Sequence, residues 1–231
     1  MVPVTRETPL PPKERNRNSS AWPVAAMLWL ALCAAAISVA MLGVLSVERE
    51  RSAVDIENSY AALVVGQTFF LVFLWPLFER RALNGPATHQ IAGSLTRLAG
   101  LLILSVPFIL LALRVSETPA AWVIRSQALL LFIGVAAAAA VRLPGAVAWY
   151  YPAAFVLSAL VPLAAYLLRE EGRVPTAWAA AVSPFRASGG AAAGLEAAAP
   201  FIVFGALAAV TLAAVLFFRS RGPQPRAPKE P

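Results

Sequence analysis

Side chains that hold metals or attack substrates are scarce in this sequence. There is one cysteine, Cys33, and one histidine, His89. A single cysteine excludes a disulfide within the chain and a metal cluster built on cysteines, and a single histidine excludes haem held by two histidines of this chain. Motifs for phosphate loops, dinucleotide binding, zinc proteases and nucleophilic serines are missing. We therefore predict no catalytic residue, no metal site and no cofactor, so the chain is not expected to be an enzyme.

Charged side chains gather instead in residues 79–97, ERRALNGPATHQIAGSLTR. Asn84-Gly85-Pro86 is typical of a turn, and residues 87–96 are compatible with a short helix. This segment has two interpretations. In the first interpretation, the segment docks a cytoplasmic partner. In the second, it is an ordinary basic cytoplasmic loop followed by the start of a helix. The candidate partner-coupling residues are Glu79, Arg80, Arg81, His89 and Arg97.

A second unusual segment is residues 169–196, REEGRVPTAWAAAVSPFRASGGAAAGLE. Its apolar part, residues 174–182, is too short to cross a bilayer, which indicates a re-entrant or interfacial element. Ser183-Pro184 is expected to end that stretch, and Gly189-Gly190 to let the chain turn back. The candidate re-entrant residues are Ser183, Pro184 and Phe185.

The elements that must position these segments are membrane helices. Of the 231 residues, 59% are hydrophobic and 13% charged, and the mean hydropathy is +0.70. Apolar blocks of about 20 residues are long enough to span a bilayer. We predict an all-α polytopic membrane protein with six transmembrane helices, between disordered basic tails at 1–20 and 219–231. The predicted helices cover 21–45, 59–78, 96–115, 120–141, 146–168 and 197–218.

The basic residues predict the orientation of the six helices. With the N-terminus inside, 12 of the 19 Lys and Arg residues lie in cytoplasmic segments and seven on the other side. Cytoplasmic segments carry the excess of basic residues, so this bias favours both termini in the cytoplasm. The net charge of +7 follows from this placement beside apolar blocks, and we predict no nucleic-acid partner. The expected location is a bacterial inner membrane.

Several residues inside the apolar blocks have two interpretations each. Gln67 either hydrogen-bonds to another helix or lines a path, and interhelical bonding is the commoner role. Arg125 either snorkels outward or faces a cavity, and snorkelling is the commoner outcome. Prolines within membrane helices either mark broken helices that line a pathway or are simply tolerated. These prolines are Pro76, Pro107, Pro152 and Pro162.

This plan resembles the permease subunits of type-2 ABC exporters, including the small haem-exporter permeases of cytochrome c maturation. Its features are six spans, a charged inner loop after the second span and a longer outer loop before the sixth. The most telling local match is AVSPFR at residues 181–186. The resemblance implies that ATP is hydrolysed by a separate cytoplasmic subunit, to which residues 79–97 couple. It also implies a second membrane subunit, in a homodimer or heterodimer within the lipid bilayer.

A different class of function uses the same composition. Alanine-rich helix faces permit close helix contacts in membranes, and alanine runs occur at residues 136–140 and 191–199. The alternative is therefore a non-catalytic scaffold or assembly subunit of a larger membrane complex.

Overall fold

The computed structural model describes residues 21–46, 59–81, 87–116, 118–170, 177–195 and 198–220. Every regular element within these ranges is a helix, which confirms the predicted all-α fold. The predicted tail at 1–20 lies outside the described residues, as do the predicted turn at 84–86 and all but the first two residues of the tail at 219–231.

Six helices of the described ranges are long and apolar enough to cross a membrane, as predicted. The chain is therefore an integral membrane protein. We call the end of the bundle that carries Arg80 and Arg142 the basic end, which the charge bias predicts to be cytoplasmic. The spans are Ala21–Val39, Tyr60–Arg80, His89–Ser116, Ala120–Ala140, Ala146–Leu168 and Ala198–Phe218.

The third span begins earlier than the predicted residue 96, inside the charged segment. One helix covers Ala87–Leu104, and after a turn at Ser105 a second helix covers Val106–Ser116. Pro107 explains this break, because its ring nitrogen has no proton to donate to a helical carbonyl. Residues 87–96 are therefore the start of a membrane helix and not a separate short helix.

Two other prolines follow single π-helical turns. The turn Phe70–Leu74 precedes Pro76 in the second span, and the turn Val156–Leu160 precedes Pro162 in the fifth. A proline leaves the carbonyl four residues earlier without its helical donor, and local π geometry is one way in which membrane helices adjust to this. Pro152, in contrast, lies inside a regular α-helical segment.

The fourth span is the centre of the bundle, and the fifth lies at its edge. Over half of the most apolar stretch of the fourth span is buried (56%), against 11% for the fifth. The fourth span packs against the second and sixth spans, and its alanines 136–139 are all buried. The ring of Trp29 in the first span packs edge-on against the ring of Phe70, with 5.1 Å between ring centroids. Through this contact the first span belongs to the same hydrophobic core.

Candidate functional site

Glu79 is a buried acidic residue at the basic end of the second span. Its side chain is only 1% exposed. Arg97 of the third span donates to both carboxylate oxygens, from Nε to Oε1 at 2.9 Å and from Nη2 to Oε2 at 3.0 Å. This bidentate arrangement gives an arginine–carboxylate pair both strength and a fixed geometry. It clamps the second and third spans together next to the segment that connects them.

Arg142 joins the same carboxylate from the short connection between the fourth and fifth spans. Its Nη2 donates to Oε2 of Glu79, and its side chain is 2% exposed. Removing such charges from water is costly, and the cost is offset only where the charges pair closely. We call Glu79, Arg97 and Arg142 the ion cluster. Its formal charges sum to +1, and it joins the second and third spans to the connection that follows the fourth.

The predicted partner-coupling residues therefore divide into two groups. Glu79 and Arg97 are turned toward each other, Glu79 fully buried and Arg97 half-buried. Arg80 and His89 are exposed and accessible to a partner. Arg81 is the last residue of its helix, and its side chain lies outside what the structure describes.

Two short helices occupy the stretch where a re-entrant or interfacial element is predicted. They cover Ala177–Val182 and Pro184–Ala192, and we call them the helix pair. Ser183 separates them with an extended backbone, and its hydroxyl accepts a bond from the Arg186 N–H at 3.5 Å. Pro184 opens the second helix, where its missing N–H leaves no bond unmade. Ser183-Pro184 thus ends one helix, as predicted, and starts another.

The second helix of the pair reaches the middle of the second span. The hydroxyls of Ser188 and Thr68 are 2.7 Å apart and fully buried. The ring of Phe185 stacks on that of Phe73, with centroids 6.4 Å apart. Thr68 and Phe73 flank the midpoint of the Tyr60–Arg80 span. The fifth span ends and the sixth begins opposite the basic end, so the chain enters the bundle and leaves it at the same end. The prediction of a re-entrant element is compatible with this packing.

The chain leaves the helix pair at Gly194, and the prediction that it turns at Gly189-Gly190 is wrong. Both of those glycines lie within the second helix of the pair. Gly194 has a φ of +74°, a left-handed conformation that glycine adopts without strain. The N–H of Leu195 bonds to the carbonyl of Gly190 at 2.9 Å, as in a Schellman cap. The chain turns where the helix cap needs a residue in the left-handed conformation, and not where two glycines are adjacent in the sequence.

Uncharged polar side chains link the second and fourth spans farther from the basic end. The hydroxyls of Tyr60 and Ser126 are 2.6 Å apart. Gln127 Nε2 donates to the Tyr60 hydroxyl at 3.2 Å and to Gln67 Oε1 at 3.1 Å. Gln67 is 1% exposed. It therefore makes the predicted interhelical hydrogen bond and does not face an open path.

Among the described residues, the ion cluster and the helix pair are the candidate functional arrangements. Comparison with protein-family models, curated proteins and solved structures finds no significant match. Within the described ranges, no three His, Cys, Asp or Glu side chains are grouped as a metal site requires.

Arg142 is the site residue that the sequence did not single out, because it is one of twelve basic residues in the predicted cytoplasmic segments. A usable signal is present, since Arg142 is the one basic residue in the connection 141–145 and Glu79 is the one acidic residue in the segment 79–97. If both segments lie at the same end of the bundle, an ion pair between them is the simplest arrangement. The sequence does not show, however, that they lie side by side.

Proposed function

We propose that this chain is the membrane subunit of an ABC-type transporter, with ATP hydrolysed by a separate cytoplasmic subunit. The observation that carries the proposal is the helix pair, which returns to the middle of the second span just before the sixth span begins. This element lies at the sequence AVSPFR, on which the resemblance to type-2 exporter permeases mainly rests. A plain six-helix scaffold has no need for an element that enters the bundle and leaves by the same end.

The ion cluster supplies a physical route from a cytoplasmic partner to the spans. Arg80 and His89 are exposed at the basic end, whereas the neighbouring Glu79 is buried and paired with the half-buried Arg97. Separating a buried ion pair is costly in free energy. A partner that displaces this surface therefore moves the second span, the third span and Arg142 together. Such rigid-body displacement is a common form of switching transition.

The fourth span transmits this displacement from the basic end to the helix pair. Arg142 follows its last turn, and the span packs against both the sixth span and the second helix of the pair. Movement at the basic end therefore reaches the helix pair through packed helices. In the proposed transporter, a second membrane subunit, identical or not, supplies the other half of the pathway.

The alternative function, a scaffold held through alanine-rich faces, is less well supported. Alanines 136–139 are between 1% and 5% exposed. They are already used in packing within the chain, and in the second alanine run Ala191 and Ala192 are buried while Ala193, Ala198 and Ala199 are exposed. The transporter proposal accounts for the helix pair and the ion cluster together, and the scaffold accounts for neither.

Co-purification from native membranes tests the proposal. The tagged full chain is expressed with the reading frames that flank its gene and purified in mild detergent. We expect an ATP-binding protein to purify with it in stoichiometric amount. Arg80→Glu places a negative charge on the exposed basic surface and should weaken this complex.

The matched control is Arg114→Glu, which reverses an exposed arginine at the opposite end of the third span. It should leave the complex intact. Recovery of the chain with other membrane proteins but no ATPase would refute the transporter proposal and support the scaffold. Equal weakening by both variants would show that Arg80 has no specific part in docking.

A further inference from the structure

A cavity of about 460 Å³ lies between the fourth, fifth and sixth spans. Its wall is made of aliphatic and aromatic side chains, without a charged or amide group among the described residues. The one hydroxyl in this wall, that of Tyr150, is already bonded to the Val72 carbonyl. The volume is within the range of roughly 300–1,000 Å³ typical of ligand pockets. A cavity with so few polar partners cannot hold ordered water and suits an apolar occupant.

The cavity runs from the interior of the bundle to its outer surface. Ile133 and Phe204 on its inner wall are 3% and 5% exposed. Trp149 and Leu207 on its rim are 78% and 42% exposed. Because Leu207 lies near the middle of the sixth span, the medium outside this part of the cavity is hydrocarbon and not water. Lipid tails therefore have direct access to it.

One end of the cavity lies beside basic and aromatic residues at a membrane interface. Leu143 and Ala146 line it where the fourth span connects to the fifth, at the basic end. Leu143 follows Arg142, whose partner Glu79 directly precedes the exposed Arg80. Tyr150 also lines the cavity near this end. Tryptophan and tyrosine concentrate at the level of lipid headgroups, and basic side chains there attract anionic ones.

We propose that the cavity holds one acyl chain of an anionic phospholipid from the leaflet at the basic end, with the headgroup beside Arg80. Hydrocarbon gains little by moving from a bilayer into an apolar pocket. The attraction comes from van der Waals contacts with a wall that would otherwise face a void, and from the charge of Arg80. This inference does not rest on the transporter proposal.

The size of the cavity favours a lipid chain over a second copy of this protein. A helix is about 10 Å wide, so 460 Å³ would admit only about one of its turns. A stable protein interface buries about 800 Å² on each partner. Such an interface needs a broad surface, whereas this cavity is narrow. An extended acyl chain is thin and flexible enough to follow the cavity from Leu143 toward Phe204.

Native mass spectrometry of the purified, delipidated full chain tests the headgroup. Dioleoylphosphatidylglycerol and dioleoylphosphatidylcholine are added in competition. We expect one retained phosphatidylglycerol and a preference of about fivefold over phosphatidylcholine, the effect of one basic residue near a membrane surface. Arg80→Gln should abolish the preference and Arg80→Lys should keep it. Equal binding of both lipids to the unaltered chain would refute the headgroup assignment.

Filling the cavity tests the place of the acyl chain. Ala153 lines the cavity from the exposed side of the fifth span, so Ala153→Phe should fill it without disturbing the core. Bound lipid should then be lost. Ala209→Phe adds the same ring at an exposed position of the sixth span outside the cavity wall, and should retain the lipid. An unchanged melting temperature establishes that each variant folds, and Ala146→Leu, at a half-buried position of the cavity wall, replaces Ala153→Phe if it does not.

Three results are possible with Ala153→Phe, and only one supports the proposal. Loss of lipid relative to Ala209→Phe supports it. Equal retention in the two variants would place the lipid elsewhere and refute it. Dissociation of a dimer without loss of lipid would make a second copy the occupant and also refute it. Because the measurement is lipid retention without ATP or an ATPase, failure of the transporter proposal leaves this result unaffected.

Discussion

The hydroxyl of Tyr150 donates a 2.8 Å hydrogen bond to the carbonyl oxygen of Val72, across the contact between the fifth and second spans. Val72 precedes Pro76 by four residues and lies in the π-helical turn Phe70–Leu74. The ring nitrogen of Pro76 cannot donate to this carbonyl. Within a bilayer there is no water to replace the missing donor. A tyrosine of one span thus compensates for a proline of another.

Removing this hydroxyl should destabilise the protein. Tyr150→Phe leaves the Val72 carbonyl buried without a donor, at a cost of about 1–3 kcal/mol in the free energy of unfolding. The measurement is a melting curve of the purified protein in detergent. Tyr151→Phe is the matched control, because within the described part of the chain that hydroxyl makes no hydrogen bond to a helix carbonyl. Equal melting temperatures for both variants would contradict the assigned role.

A double-mutant cycle separates this effect from general packing. Pro76→Ala restores an N–H that can reach the Val72 carbonyl. Tyr150→Phe should therefore cost less in the Pro76→Ala background than in the natural sequence. An undiminished cost would mean that the tyrosine stabilises the fold through its contacts alone.

Breaking the ion cluster should be more damaging than removing it. Glu79→Gln removes the carboxylate charge that Arg142 and Arg97 share, and breaking such a buried pair costs about 3–5 kcal/mol. The double variant Glu79→Leu with Arg142→Met removes the two fully buried charges, leaves only the half-buried Arg97, and should melt at a higher temperature than Glu79→Gln alone. Arg97→Met should cost less, because the Arg97 side chain is 29% exposed. A double variant less stable than Glu79→Gln would contradict this ranking.

The sequence was sufficient for the six spans and for the place of the helix pair, because both depend on composition and length. The Ser183-Pro184 break was also predictable, since it follows from local backbone chemistry. The bond from Tyr150 to Val72 and the approach of Arg142 to Glu79 were not predictable, because each joins residues more than 60 positions apart. The turn at Gly194 was missed for a different reason. Two adjacent glycines, Gly189-Gly190, are the more obvious turn signal in the sequence. The residue that must be left-handed is fixed by where the helix ends, which the sequence does not show.

The depth of the helix pair can be tested by cross-linking. The hydroxyl oxygens of Thr68 and Ser188 are 2.7 Å apart, so cysteines at both positions should form a disulfide under mild oxidation. The native Cys33 is first changed to alanine. Cysteines at Thr68 and Thr211 are the control, and no disulfide is expected because, among the described residues, the sixth span makes no substantial contact with that part of the second. Mass spectrometry of proteolytic fragments detects the bond.

The cross-linking result also bears on the re-entrant geometry. If the helix pair lay on the membrane surface, cysteine at position 188 would react with a water-soluble maleimide and would not pair with position 68. That outcome would remove the main observation behind the transporter proposal. Protection from the reagent together with disulfide formation would support it.

Gly194 should be the glycine least tolerant of substitution in the helix pair and its cap. A Cβ there would lie 2.2 Å from Cζ2 of Trp122, and the residue has a φ of +74°. Left-handed backbone alone costs an L residue about 1–2 kcal/mol, and the clash adds to this. We therefore expect Gly194→Ala to lower the melting temperature clearly. Gly205→Ala should have little effect, because no described atom lies within 4 Å of its added Cβ.

Removing the ring of Trp122 separates the two causes. In the Trp122→Ala background, Gly194→Ala no longer meets the ring, so its remaining cost should fall to that of the backbone alone. Gly194→Asn should be milder than Gly194→Ala in that background, since asparagine tolerates the left-handed region better than alanine does. If Gly194→Ala were as harmless as Gly205→Ala, the chain would not leave the helix pair through a left-handed residue at this position.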